Sequence, residues 1–241
     1  MPFYKTNLTK VVFLDIETVS EQPTFDKLSE SWQKLWDEKT QRQRGEISAA
    51  EHYEQKAGIW AEFGKVVCIS CGVFSEWQEE GRTFRMTSFY GDDEKEVLQR
   101  CAAMLTKIGD SYTLCAHNGK EFDFPYLARR MVIKGIPLPG VLNTSGLKPW
   151  QVPHLDTLEL WKFGDFKNYT SLKLLAEAFG HPTPKDDIDG SMVGPTYWQE
   201  QDLPRIVRYC EKDVVTLARV LLTMENQPVL QDSEIETTEA P

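Results

Sequence analysis

The chain has 241 residues, with 27 Lys+Arg against 37 Asp+Glu and a net charge of −10. That length suits one α/β domain with insertions, or at most two small ones, and can bury about 70–75% of its unfolded surface without disulfides or structural zinc. The composition, 41% hydrophobic and 27% charged, is ordinary for a globular protein, and the acidic balance argues against a protein that coats DNA through a basic field. It leaves open an enzyme that reaches nucleic acid through metal ions.

Residues 11–16 (VVFLDI) form a short apolar run that reads as a buried strand. Two helical segments follow, at 29–44 with Trp32, Leu35 and Trp36 on one face, and from the capping box Ser48-Ala-Ala-Glu51 to Gly64. Two strands are expected at 65–74 and 82–90, joined by a Glu-Glu-Gly turn at 79–81. An amphipathic helix over 92–108 is closed by Gly109, and 112–116 is again strand-like. After the Asn118-Gly119 turn, 122–134 reads as a helix ending at Gly135.

Residues 135–153 are rich in Pro and Gly and read as loop. A strand is expected at 155–160, a helix at 171–179 capped by Thr170, and a polar loop at 182–195. The strongest helix is 203–224, with Ile206, Cys210, Val214, Leu217 and Leu221 as its core stripe. The segment 227–241 holds Asp232, Glu234, Glu236 and Glu239 and no basic residue, and is expected to be a disordered tail. The order of elements suggests a mixed sheet covered by helices in one domain over 1–226, with a helical insertion at about 20–64.

No export or membrane segment is expected. The longest uncharged stretch, 135–147, has 13 residues and two prolines, against the roughly 20 apolar residues of a span, and the N-terminal MPFYKTNLTKVV lacks a signal-peptide core. The CxxC pair Cys68/Cys71 sits in a strand, where residues three apart point to opposite faces, so reduced cytoplasmic thiols are the better reading than a zinc or redox site.

Three groups of acids draw attention. In Leu14-Asp15-Ile16-Glu17-Thr18, residues two apart on a strand project to one face about 6.5–7 Å apart. Two such carboxylates beside an apolar strand raise each other's pKa unless a cation sits between them. Asp123 follows a strand and an Asn118-Gly119 turn at the start of a helix, where a capping role competes with a ligand role. Tyr209 and Asp213 are four residues apart on the last helix and share one face.

Taken in order, DIET, NGKEFDFPYL and YCEKD resemble the motifs of the DEDD superfamily of 3′–5′ exonucleases, in the variant whose last motif carries Tyr. They are most similar to the proofreading domains of B-family DNA polymerases and look like the stand-alone bacterial group of predicted polymerase-related exonucleases. The likeness spans residues 11–222. It implies an α/β, RNase H-like fold with a mixed five-stranded sheet and helices on both faces, plus the helical insertion after the first strand. It also implies a metal-dependent enzyme that removes nucleoside 5′-monophosphates from the 3′ end of single-stranded nucleic acid, DNA favoured over RNA. Asp15 would bridge two divalent ions, Mg²⁺ or Mn²⁺; Glu17 and Asp213 would complete the first ion's shell, Asp123 would serve the second, and Tyr209 would orient the attacking water. Oxygen ligands suit these ions, and two ions about 3.5–4 Å apart stabilise both the attacking and leaving oxygens. The rival expectation is a non-catalytic binding module on the same fold.

Thr18, Asn118, Phe122, Lys162 and Lys167 are candidate substrate contacts. Residues 118–175 carry eight Lys/Arg against five Asp/Glu, and Phe163, Phe166 and Tyr169 interleave with the lysines of 162–173, as on a strand-guiding surface. Asp156 reads as structural or a cap, and the acidic run at 186–189 fails as a calcium loop, because Lys185 and Thr196 stand where ligands are needed.

Overall fold

The computed structural model describes residues 6–77, 81–165, 167, 169–182 and 188–238. A mixed six-stranded sheet runs in the order β5-β4-β1-β2-β3-β6. Its strands are β1 (Val11–Ser20), β2 (Gly64–Phe74), β3 (Phe84–Tyr90), β4 (Thr113–Ala116), β5 (Leu155–Asp156) and β6 (Ile235–Thr237). β1, β2 and β3 pair antiparallel, whereas β4 joins β1, β5 joins β4 and β6 joins β3 in parallel.

The apolar run of β1 is covered on both faces, as expected of a central strand. Leu14 and Ile16 enter a core with Leu98 of α3 (Glu94–Ile108) and Leu127 of α4 (Asp123–Ile133). Val11 and Phe13 enter a second core with Val214 and Leu217 of α8 (Leu203–Met224). Cys68 and Cys71 lie in different cores on the two faces of β2, which removes any zinc or dithiol reading of the pair.

The 20–64 segment contains α1 (Glu30–Thr40) and α2 (Ala49–Lys56), which pack Trp36, Tyr53 and Phe63 into a cluster of their own. Ser48 caps α2 by accepting from the Glu51 N–H, as the capping box predicts. Among the described residues, no helix is long and apolar enough to cross a membrane.

Four expectations are corrected. The sheet has six strands and not five, because residues 235–237 of the acidic tail pair with β3. That segment is anchored by contacts its composition conceals: Leu230 is buried in the core, and Arg82 donates to Glu234 Oε1 at 3.0 Å and to the Pro228 carbonyl at 2.6 Å. The strand at 155–160 stops after Asp156, whose carboxylate accepts from the Leu158 and Glu159 N–H groups and starts α5 (Thr157–Lys162). α6 (Leu172–Ala178) is capped by Ser171 and not by Thr170. Within the supposed loop at 182–195, Val193–Pro195 forms the short α7, which runs into a π-helical turn at Thr196–Glu200. The turn residues 79–80, Phe166 of the aromatic surface, Asp186 and Asp187 of the acidic run, and Glu239 of the tail lie outside the described residues.

Candidate active site

Asp15 and Glu17 project from β1 toward α8, on the face that carries Val11, Phe13 and Val19 into the helix-packed cores. Asp15 stands opposite Ser70 and Glu17 opposite Cys68; a bulge then shifts the register so that Thr18 faces Val66. Bulges of this kind re-aim side chains beside functional sites. α8 lies across this face with Cys210 and Val214 buried. Cys210 Sγ–H donates to the Asp15 carbonyl at 3.4 Å, so Tyr209 and Asp213, on either side of it, arrive beside the strand. The Tyr209 hydroxyl donates to the Asp213 carboxylate.

Asp123 reaches the same acids from the opposite layer. It is the first residue of α4; Phe122 holds the capping position, so Asp123 is not the cap. Its buried carboxylate accepts from its own N–H and from the Ile16 N–H of β1. The preceding turn is held by Asp156, which accepts from the Asn118 N–H at 2.9 Å and the Lys120 N–H at 3.1 Å.

These groups share one electrostatic environment. Burial, followed by the charges of Asp213 and Asp123, pushes the Asp15 carboxyl well above the usual range. Burial and then the charges of Asp15 and Asp213 do the same to Glu17. Asp123 is raised to about 7, by burial first; its two backbone hydrogen bonds oppose the shift, and Asp156 and Asp213 add to it. Burial, followed by the charges of Asp213, Glu17 and Asp15, holds the Tyr209 hydroxyl far above the usual tyrosine range.

Acids arranged this way cannot all ionise without a compensating cation. The donor set fits a hard divalent ion. Asp15 Oδ2 is buried and has no hydrogen-bond partner among the described residues, an expensive state for a carboxylate oxygen unless something binds it. One ligand atom each from Asp15, Glu17 and Cys210 lies within 4.8 Å of the others. The Cys210 thiol is committed to the Asp15 carbonyl and to Cys68, which leaves the oxygens as the ligands that Mg²⁺ or Mn²⁺ prefers.

The candidate substrate contacts separate into two groups. Thr18 and Phe122 line a cavity of about 550 Å³ that opens beside Glu17. The Thr18 hydroxyl donates to the Gly58 carbonyl at 2.8 Å, so its proton is already used. Asn118 takes the left-handed conformation of a turn (φ 64°), which accounts for an asparagine there. Lys162 ends α5 and Lys167 lies in the exposed loop after it; neither lines the cavity beside Glu17. Phe163 and Tyr169 are exposed.

Sequence reasoning placed Cys210 only in the core stripe and missed its bond to Asp15. It also missed Gly58, Trp198 and Gln199, because nothing local marks a residue that comes to the acids from a distant loop.

A family model of the RNase_H superfamily (RNase_H_2) matches residues 53–224, more than half of the chain. The match includes Asp123, Tyr209 and Asp213 and begins after Asp15 and Glu17. Among solved structures, the family B DNA polymerase from the hyperthermophilic archaeon Pyrobaculum calidifontis is 18% identical with a TM-score of 0.49, over 88% of this chain and 24% of that one. The RNase domain of the yeast Pop2 protein is 14% identical with a TM-score of 0.39, over 84% of this chain and 76% of that one. The chain thus spans about a quarter of the polymerase's length. No curated protein matches it.

Proposed function

The chain belongs to the RNase_H superfamily, and we propose from that premise that it is a metal-dependent 3′–5′ exonuclease. It takes the 3′ end of single-stranded nucleic acid, DNA in preference to RNA, and releases nucleoside 5′-monophosphates. The observation that carries this reading is the cluster of Asp15, Glu17, Asp123 and Asp213, drawn from two strand positions and two helices, with Asp15 Oδ2 buried and unpartnered.

Asp15 would contact both of two divalent ions, Mg²⁺ or Mn²⁺, with Glu17 and Asp213 on one and Asp123 on the other. Such ions, when bound, stabilise the attacking and leaving oxygens of an in-line displacement. The protein's own part is to bring four carboxylates to one place against their mutual repulsion. β1 and α8 supply Asp15, Glu17 and Asp213 from one layer, and α4 supplies Asp123 from the other. Tyr209, which keeps its proton at neutral pH and donates it to Asp213, leaves its oxygen lone pairs free to accept from and orient a water. The five cysteines are free and buried, which supports a reducing, cytoplasmic location.

The test is digestion of matched 5′-labelled single-stranded DNA and RNA with Mg²⁺ or Mn²⁺, beside the Asp15→Ala variant and a circular strand. A ladder shortening from the 3′ end, lost in the variant and absent on the circle, is expected. Cleavage of the circle, or an Asp15→Ala protein as active as the parent, refutes the proposal.

A further inference from the structure

Asp123 is carried into the site by a short turn whose shape is set locally. β4 ends at Ala116, and Asn118 then takes its left-handed conformation. A Cβ on Gly119 would stand 2.3 Å from the Cβ of Ala116, so the chain folds back on the strand at a point where only glycine fits. α4 is built directly on this turn. The Phe122 N–H donates to the Asn118 carbonyl and the Phe124 N–H to the Gly119 carbonyl, each at 3.0 Å. Asp123 lies between those two donors, so its carboxylate goes where residues 118–120 go.

What fixes that turn lies 36 to 38 residues further along the chain. The buried Asp156 carboxylate accepts four backbone N–H groups: Oδ1 takes those of Asn118 at 2.9 Å, Leu158 at 2.9 Å and Glu159 at 3.3 Å, and Oδ2 takes that of Lys120 at 3.1 Å. Capping α5 uses only Leu158 and Glu159. The two bonds to the turn are additional, and a carboxylate makes them stronger than a neutral acceptor would. His117, just before the turn, is tied to the same region: its Nε2–H donates to the Thr170 carbonyl and its Nδ1 pairs with the Thr157 hydroxyl, each at 2.8 Å. β1 and α8, which carry Asp15, Glu17 and Asp213, receive none of these bonds.

We infer that Asp156 is a positioning residue for Asp123: its carboxylate holds the turn that sets where Asp123 stands against β1, and so governs the second divalent-ion site while leaving the first alone. The Asp123 carboxylate accepts from the Ile16 N–H of β1, which makes that amide a direct reporter of the placement. Groups that orient metal ligands from behind weigh almost as heavily as the ligands themselves. The effect on the second ion rests on the two-ion reading of the acids; the placement of Asp123 does not.

The test compares the full chain as wild type, Asp156→Ser and Asp156→Asn. Serine caps a helix well but is too short to reach the turn, whereas asparagine keeps the cap and one acceptor oxygen. In EDTA, Asp156→Ser is expected to shift the Ile16 amide resonance and speed its hydrogen exchange, while the β1 amides paired with β2 keep their protection. Asp156→Asn should fall between it and wild type. Calorimetric titration with Mn²⁺ should show one of two binding steps weakened about 10–100-fold in Asp156→Ser and the other changed by less than about twofold. An Ile16 amide unmoved in Asp156→Ser overturns the positioning role, as does uniform loss of protection along β1 or equal weakening of both steps. If Asp156→Ser does not fold, the Ile16 amide of Asp156→Asn decides by the same criterion. A wild-type protein that takes up a single Mn²⁺ fails the two-ion reading instead, and the Ile16 amide still decides the placement of Asp123.

Discussion

The Cys210 thiol donates to the backbone carbonyl of Asp15 at 3.4 Å, which joins α8 to β1 at a residue between Tyr209 and Asp213. The bond sets the register of the helix against the strand, and with it the approach of Asp213 to Asp15. Cys210→Ala removes the donor and leaves a small void in a fully buried position. A loss of about 1–2 kcal/mol in urea denaturation is expected, along with slower strand digestion. Cys210→Ser, which keeps a donor, should be the more active of the two, and equal digestion rates would remove the positioning role.

Tyr209 stays protonated through the physiological range, held there by burial and then by the charges of Asp213, Glu17 and Asp15. A hydroxyl that keeps its proton does not serve as a base, which agrees with the orienting role proposed for it. Tyr209→Phe should lower kcat about 10–100-fold while leaving Mn²⁺ affinity and the shape of the pH–rate profile near those of wild type. Loss of an ionisation from that profile would contradict this assignment.

The raised carboxyls link stability to pH in the metal-free protein. Asp123 has an ordinary value of 3.8 and a folded value of about 7. A folded pKa above the unfolded one means that the native state holds its proton more tightly. That contribution to stability is full below the ordinary value and disappears as pH rises through about 7. The melting temperature in EDTA should accordingly fall between pH 5 and pH 8, a window set by this shift. Asp123→Asn should flatten the fall and be more stable than wild type at the alkaline end, although inactive. Mn²⁺ should restore the wild-type melting temperature with proton release, read as a calorimetric heat that depends on buffer ionisation.

Arg130 of α4 is the fastener between the insertion and the rest of the domain. Its buried guanidinium donates to both oxygens of buried Glu94 at 2.7 and 2.5 Å, to the Ala61 carbonyl at 2.8 Å, and to Glu21 Oε2 at 2.7 Å. Burial alone would raise the Glu94 pKa, but the hydrogen bonds and charge of Arg130, joined by hydrogen bonds from the Val66 N–H and Lys134, outweigh it and bring the value below the ordinary one. The stability that Glu94 contributes is present above its ordinary value and lost as pH falls through the depressed one. Arg130→Met leaves the buried Glu94 carboxylate with only Lys134 Nζ at 3.0 Å and the Val66 N–H at 2.9 Å, and should cost about 3 kcal/mol. Adding Glu94→Gln should recover part of that loss in chemical denaturation, since the remaining group carries no charge; a double variant no more stable than the single one would refute the account.

Much of the site was legible because its parts are local. The period of two on β1 put Asp15 and Glu17 on one face, and the spacing of four put Tyr209 and Asp213 on one side of a helix. The boundaries of α8 follow directly from its apolar stripe. The segment after Asp156 was harder: Asp156 reads as structural or a cap, but the strand-like run beyond it hid the helix that it caps, and the same carboxylate steadies the turn before Asp123. The tail was harder still. Acidic composition signalled disorder, yet one buried leucine, Leu230, and ion pairs from Arg82 and Arg219 dock it against β3 and α8.

By itself the sequence determined which acids are available, in what order, and which face of its own element each occupies, because side-chain direction follows from backbone period alone. Only the tertiary structure decided that the four acids feel one another's charge, that Asp15 Oδ2 is buried without a hydrogen-bond partner among the described residues, and that the insertion helps to line the cavity beside Glu17. Those outcomes depend on register and burial between segments far apart in the chain. Desolvation and Coulomb repulsion act on distances in space, which the spacing of residues along a sequence does not specify.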